Sequence, residues 1–162
     1  MQILEIVIAV LSLLATAYIG LIGYRLTKTF SAKTEKLSHQ SLFHQLFRDF
    51  NSRYGQVNSF LIQLENHSQN PDYTLENLKA DFNLYDKIND YLNICAEEYY
   101  WYKEGRLDDK VWTSWQIGMN IWYNKLPILR ELWQQEISRE GYKSYYLEEG
   151  ENLFTPFVWV SN

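Results

Sequence analysis

The stretch "NICAEEYYWYKEGRLDDK" (93–110) concentrates the residue types that could do chemistry. It holds the single cysteine of the chain, Cys95, and the adjacent carboxylates Glu97 and Glu98. An activated thiolate is a nucleophile, and a carboxylate among aromatic rings has a raised pKa that suits acid or base work. Both types also have structural roles. A buried cysteine packs as a small apolar side chain, and a buried glutamate accepts hydrogen bonds that fix the packing around it.

Helical spacing places the three side chains in different surroundings. Leu92, Cys95 and Tyr99 fall on one apolar stripe of a helix, which predicts a buried thiol. Such a thiol lacks the electropositive, partly exposed setting that lowers the pKa of a reactive cysteine. Glu97 projects from the opposite face and is expected to be solvated. Glu98 is expected on the flank of the stripe, among aromatic rings.

Glu136, like Glu98, could have either a catalytic or a structural role, because it lies beside apolar residues of a later helix. We therefore consider a buried polar network in which Arg53, Glu98 and Glu136 meet. Its alternative is a pocket in which the two carboxylates act as acid and base. No catalytic residue is predicted on the spacing of these residues alone.

The familiar site motifs are missing from the sequence. There is no HExxH, GxGxxG, P-loop, paired CxxC or GxSxG pattern. His39 and His44 are five positions apart, about 140° around a helix, and cannot chelate one metal ion as an i, i+4 pair would. The net charge of −5 and the lack of basic residues among the aromatics argue against nucleic-acid binding. The sequence predicts no cofactor and no metal.

Residues 3–24, "ILEIVIAVLSLLATAYIGLIGY", form an apolar run whose single charge is Glu5. A helix needs about twenty such residues to cross a bilayer core of roughly 30 Å. The run predicts a transmembrane anchor over 1–24. A cleaved signal peptide is the alternative suggested by "ATA" at 15–17, but a basic start is missing and the apolar sequence continues to Tyr24. A buried core helix would normally have a polar face, and this run has none.

Basic residues follow the apolar run, whereas no Lys or Arg precedes it. The positive-inside rule then places the short N-terminus outside and the rest of the chain in the cytoplasm. A lone cysteine fits that reducing compartment. The basic juxtamembrane segment, 25–41, either sets this topology or also contacts anionic lipid headgroups. The candidate headgroup contacts are Arg25, Lys28, Lys33 and Lys36.

Small residues recur on one face of the predicted span. Ser12, Thr16 and Gly20 are spaced by four, a pattern that lets two transmembrane helices approach closely. The same pattern arises by chance in helices rich in Ala, Ser and Gly. Self-association through this face is therefore one of two readings.

The remaining sequence predicts an all-α fold, with a bundle of about four helices over 42–141 and an irregular tail, 142–162, that docks on it. Aromatics make up 17% of the chain, and there are only seven glycines and three prolines. Thr74, Asp108 or Asp109, and Pro127 are expected at helix starts. The predicted stripes are Phe43, Phe47, Phe50, Tyr54, Val57, Leu61 and Leu64; Leu84, Ile88, Leu92, Cys95, Tyr99 and Tyr102; Val111, Trp115, Gly118 and Trp122, with Trp112, Met119 and Tyr123 beside them; and Leu129, Leu132, Trp133 and Ile137.

Three segments, "FRDFNSRYGQVN" (47–58), "DYLNICAEEYYWYKEGRLDDKVWTSWQIGM" (90–119) and "WQQE…SYY", carry a resemblance. The chain resembles small bacterial membrane-anchored proteins of unknown function in which one N-terminal span precedes a helical cytoplasmic domain. The resemblance implies architecture and location, and no site residues.

The expected function is that of a membrane-tethered interaction or regulatory module, in which tethering raises the effective concentration for a partner at the membrane. Expected partner contacts are Tyr100, Trp101, Phe157 and Trp159. The alternatives are an oligomerising effector in a stress or defence response and a carboxylate-based enzyme.

Overall fold

The computed structural model of the chain describes residues 2–154, and all of their regular structure is helical. The all-α fold class is confirmed. The helices are α1 (Gln2–His67), α2 (Leu75–Ala80), α3 (Phe82–Lys103), α4 (Asp109–Lys125) and α5 (Pro127–Glu136), followed by a 3-10 helix (Gly141–Tyr145). The expected contacts Phe157 and Trp159 lie outside the described residues.

Helix α1 contains both the predicted span and the first stripe of the bundle. The polar segment 31–41 between them is helical as well. By length and composition α1 can cross a membrane: one of its 18-residue windows has a mean hydropathy of 2.4, and none of that window is buried. The core helix of a soluble protein would be mostly buried. A signal sequence near the N-terminus passes the same test of length and composition.

The chain divides into two compact units, Met1–Leu42 and Phe43–Asn162. The second unit has one hydrophobic core, to which α1 contributes the buried side chains of Phe50, Val57, Leu61 and Leu64. They belong to the predicted stripe. The spacing of three and four residues buries them on one side of α1, where they pack with the other helices of this unit.

The second predicted helix is interrupted. Thr74 caps the short helix α2: its hydroxyl accepts from the Asn77 N–H, and the Asn77 side chain accepts from the Thr74 N–H at 2.8 Å. Asp81 then leaves helical geometry, with φ −84° and ψ 86°, and its carboxylate caps α3 by accepting from the Leu84 N–H at 3.1 Å. Each cap satisfies amide donors that the first turn of a helix leaves free.

On helix α4 the residues predicted beside the main stripe are buried more deeply than the stripe itself. Trp112, Met119 and Tyr123 are buried, whereas Trp115 and Trp122 are only half-buried. The two stripes lie side by side on one helix, and packing against α3 and α5 buries the stripe with Trp112, Met119 and Tyr123. Asp108 caps this helix by accepting from the Lys110 N–H at 2.9 Å. Pro127 occupies the first turn of α5, as expected from its missing N–H.

The C-terminal segment packs on the bundle as far as Phe154. The Phe154 ring is stacked on Tyr123, with ring centroids 4.5 Å apart, and meets Trp133 edge-on at 5.0 Å. The Trp133 indole N–H donates to the Asn152 side-chain oxygen at 2.9 Å. Leu147 and Leu153 are also buried. This segment therefore completes the core around α5.

Candidate functional site

Arg53 and Glu97 form a two-pronged ion pair between α1 and α3. The two guanidinium nitrogens donate to the two carboxylate oxygens at 2.6 and 2.9 Å. Both side chains are about one-third exposed, at 33% and 32%. The hydrogen bonds to Glu97 raise the pKa of Arg53 and outweigh burial, which acts in the opposite direction. The expectation that Glu97 would be freely solvated is therefore wrong.

Glu98 is only 4% exposed, beside this pair. Among residues 2–154 no hydrogen bond or ion pair to its carboxyl group is found. All fully enclosed side-chain polar atoms of these residues have hydrogen-bond partners. Glu98 lines an open space next to the ion pair. Burial raises the pKa of Glu98 to about 8; the charge of Arg53 lowers it and that of Glu97 raises it.

The open space next to Glu98 is a cavity of about 170 Å³ between α1, α3 and α4. Apolar and aromatic side chains form most of its wall, and Glu98 is its one ionisable carboxyl group. The lining residues are Phe50, Asn51, Tyr54, Glu98, Ser114, Trp115, Gly118 and Met119. Asn51 and Ser114 are exposed, so they lie at the mouth.

Hydrogen bonds and ring contacts hold the aromatic wall in place. The Trp122 indole N–H donates to the Tyr54 hydroxyl at 2.9 Å. Trp115 meets Phe50 edge-on at 5.6 Å and is stacked on Phe47 at 5.8 Å. Burial raises the pKa of Tyr54, so its hydroxyl stays protonated at neutral pH. The wall is thus formed by neutral rings. Contacts with Trp122 and Phe47, which do not line the cavity, hold the rings of Tyr54 and Trp115 in place.

Glu136 does not belong to this site. Its carboxylate accepts from the Tyr145 hydroxyl at 3.0 Å, and it does not line the cavity at Glu98. The predicted network of Arg53, Glu98 and Glu136 therefore does not form, because Arg53 pairs with Glu97 instead. Helical spacing fixes the face that a residue occupies on its own helix. It does not fix which residue of another helix stands opposite.

Cys95 is fully buried in the core. Burial raises the pKa of its thiol well above the ordinary value, and the nearby Glu98 charge acts in the same direction. A protonated, inaccessible thiol is a poor nucleophile. The prediction of a buried structural cysteine agrees with this position.

Tyr100 and Trp101, expected as exposed partner contacts, are both half-buried. Their rings contact each other with centroids 5.3 Å apart, and Tyr100 also packs on Tyr146 at 5.0 Å. The sequence could not reveal this contact, because Tyr146 belongs to the segment without helical periodicity. The side chains leave only part of their surface for a partner.

The small residues of the predicted span are all exposed within their unit. The Ser12 hydroxyl donates to the Ile8 carbonyl at 2.7 Å, and the Thr16 hydroxyl donates to the Ser12 carbonyl at 2.8 Å. A Cβ added at Gly20 would meet nothing within 4 Å. The candidate headgroup contacts are likewise exposed: Arg25, Lys28, Lys33 and Lys36.

A larger cavity, of about 550 Å³, lies at the loops around the 3-10 helix. Three of its charged side chains are engaged in ion pairs: Lys143 pairs with Glu140 at 2.8 Å, and Glu151 accepts from Lys103 at 2.9 Å. The Tyr99 hydroxyl also donates to Glu151, and burial together with this bond raises the pKa of Tyr99 to about 12. The smaller cavity differs in being lined by a buried glutamate, Glu98, whose carboxyl group has no partner among residues 2–154.

Across the described part of the chain, no group of three or more His, Cys, Asp or Glu side chains is arranged to hold a metal ion. Comparison with protein-family models, curated proteins and solved structures gives no significant match.

Proposed function

We propose that the chain is a membrane-anchored module whose second unit acts by binding a partner or ligand at the membrane surface. One observation carries the proposal: α1 has an unburied apolar segment near its start and supplies Phe50, Val57, Leu61 and Leu64 to the core of the second unit. An exposed apolar segment that is long enough to span a membrane is unfavourable in water and stable in a nonaqueous environment. A bilayer provides it.

The charges after the apolar segment support the predicted orientation. The four basic side chains between Arg25 and Lys36 are exposed, and no Lys or Arg lies before Arg25. They favour a cytoplasmic location for the second unit of a protein in a bacterial inner membrane. Anionic headgroups would then attract the same side chains, each by about 1 kcal/mol.

Binding fits the second unit better than carboxylate catalysis. Glu98 is the one carboxylate at its cavity, and Glu136 accepts a hydrogen bond elsewhere. General acid–base catalysis by a carboxylate pair needs both groups at one substrate. We therefore propose that the second unit binds a partner, and that its anchor raises its effective concentration for that partner in the same membrane.

Cysteine labelling tests the orientation. We would introduce Gln2→Cys and Ser38→Cys separately, since both positions are exposed, and treat intact spheroplasts with a membrane-impermeant maleimide. The buried Cys95 serves as the internal control and should not react in either case. We expect labelling at position 2 in intact spheroplasts and at position 38 only after lysis. The reverse pattern would refute the orientation.

The alternative function, an oligomerising effector, draws on the exposed small residues of α1. Since Ser12 and Thr16 bond to their own helix, close packing rather than hydrogen bonding would hold two spans together. Crosslinking in membranes tests it with Gly20→Leu, which adds bulk to this face, and Leu14→Phe, which adds bulk to the opposite one. Loss of the dimer in the first variant alone would favour the effector, and a monomeric wild type would remove it.

A further inference from the structure

We propose that the cavity between α1, α3 and α4 binds a small organic cation, an alkylammonium group, against the carboxylate of Glu98. The inference goes beyond the proposed anchoring and does not depend on it. Its first support is Glu98, a residue that is 4% exposed and lines the cavity, and whose carboxyl group has no hydrogen-bond or ion-pair partner among residues 2–154. A buried carboxylate is costly unless a partner compensates it.

The cationic side chain whose charge acts on Glu98 is already engaged. Arg53 lowers the pKa of Glu98 through its charge, but its guanidinium donates both prongs to Glu97. The other ionisable neighbours of Glu98 are acids: Tyr54 on α1 and Tyr91, Cys95 and Glu97 on α3. The cavity residues of α4 are Ser114, Trp115, Gly118 and Met119, none of which is ionisable. A positively charged ligand would therefore provide the ion-pair partner that residues 2–154 do not offer to Glu98.

Aromatic rings around the carboxyl group favour an organic cation over a metal ion. Phe50, Tyr54 and Trp115 line the same cavity as Glu98. Ring faces attract ammonium groups, and the attraction grows when the cation is removed from water. A metal ion would require several oxygen or nitrogen ligands, whereas one carboxylate among three rings offers one charged ligand.

The size of the cavity limits the ligand. A water molecule needs about 10–15 Å³ of such space, so about 170 Å³ accommodates a molecule the size of choline or tetramethylammonium. The exposed side chains of Asn51 and Ser114 stand at the mouth and can bond a hydroxyl group at the outer end of the ligand. The combination selects a compact ammonium head with a short polar extension.

Binding should release a proton. Burial raises the pKa of Glu98 to about 8, so the empty cavity holds a mostly neutral carboxyl group at pH 7. The cation binds the ionised form. The apparent affinity should therefore rise about tenfold per pH unit up to about pH 8 and level off above it. A quaternary ammonium keeps its own charge throughout this range, so the pH dependence reports on the protein.

The test is isothermal titration calorimetry of the full chain in nonionic detergent with choline, with tetramethylammonium, and with 3,3-dimethylbutan-1-ol, the neutral isostere of choline. We expect both cations to bind at least tenfold more tightly than the isostere, with proton uptake by the buffer. Glu98→Gln should abolish this preference, while Glu104→Gln, at an exposed glutamate after the same helix, should keep it. Tryptophan fluorescence verifies that each variant is folded.

Glycerophosphocholine, a lipid headgroup without its acyl chains, distinguishes two possible ligands with the same ammonium group: a free organic cation and a lipid headgroup. Binding of choline without glycerophosphocholine supports a free cation, and binding of glycerophosphocholine supports a lipid headgroup. The proposal is overturned if neither cation binds at millimolar concentration, if the isostere binds as tightly as choline, or if folded Glu98→Gln protein keeps the affinity for choline.

Discussion

Replacing Glu98 by glutamine should change how the stability of the second unit depends on pH. The pKa of this carboxyl group rises from 4.5 to about 8 on folding, because burial disfavours its charged form. The folded state therefore holds a proton that the unfolded state releases between these two values. Each pH unit of difference corresponds to about 1.4 kcal/mol, so the free energy of unfolding should fall by up to about 5 kcal/mol between pH 4.5 and 8.

The sign follows from the raised pKa. Below pH 4.5 both states bind the proton, and the contribution of Glu98 to stability is fully present. It is lost as the pH rises, and above pH 8 both states are ionised, so the loss is complete. Glutamine has nearly the same shape and stays neutral. Glu98→Gln should match the wild type at pH 4 and exceed its stability at pH 9 by up to about 5 kcal/mol.

Urea unfolding of the full chain in nonionic detergent measures this difference at each pH. All six tryptophans lie between positions 101 and 159, so their fluorescence reports on the second unit. Glu104→Gln controls for the loss of one acidic residue, because its side chain is exposed. Subtracting the wild-type free energy of unfolding from that of the variant at each pH cancels the contributions of the titratable groups that both proteins share. A flat difference between pH 4 and 9, or a variant less stable than the wild type at pH 9, would contradict a raised pKa of Glu98 in the folded state.

Three further predictions concern contacts around the site and the C-terminal segment. A double-mutant cycle of Arg53→Met and Glu97→Gln should give a coupling energy of about 1 kcal/mol, since the pair is two-pronged but one-third exposed. Gly141→Ala should cost about 1–3 kcal/mol, because the new Cβ would overlap the Glu136 backbone carbonyl, whereas Gly55→Ala should stabilise α1 by about 0.5–1 kcal/mol. Phe154→Ala should cost about 3–5 kcal/mol in urea unfolding.

Each of these has its own control or contrary outcome. No coupling between Arg53 and Glu97 would mean that the pair adds nothing to folding. Equal effects of alanine at Gly141 and Gly55 would contradict the close approach to the carbonyl. Phe82, which is 79% exposed, provides the control for Phe154. If Phe82→Ala and Phe154→Ala cost the same, the C-terminal segment is not packed on the core as described.

Periodicity in the sequence predicted most of the fold. The apolar run, the stripe with Phe50 and Leu64 on α1, and the stripe with Leu84 and Cys95 on α3 follow from spacing within single helices. The break at Asp81 was not predicted, because its neighbours all suit a helix. The choice of the Trp112 face over the Trp115 face on α4 depends on which helices pack against it, and spacing alone leaves both open.

The candidate site was predicted only in part. The position of Glu98 on the flank of an apolar stripe correctly marked it as a buried carboxyl group. Its cavity needs Tyr54 and Trp115 from two other helices, and the sequence offered no signal for that meeting. The sequence predicts that Arg53 meets Glu98, whereas in the structure Arg53 pairs with the adjacent Glu97. A long guanidinium side chain can reach either, and only the packing of α1 on α3 decides.

Membrane extraction followed by intact-mass measurement tests the anchoring most directly. We would express the full chain in a bacterium, wash the membranes with alkaline carbonate and determine the mass of the protein that remains. If the apolar run is a membrane anchor, the full chain of 19.4 kDa remains in the membrane pellet and is released only by detergent. A soluble protein that lacks residues 1–17 would instead identify the apolar run as a cleaved signal sequence and contradict the anchor.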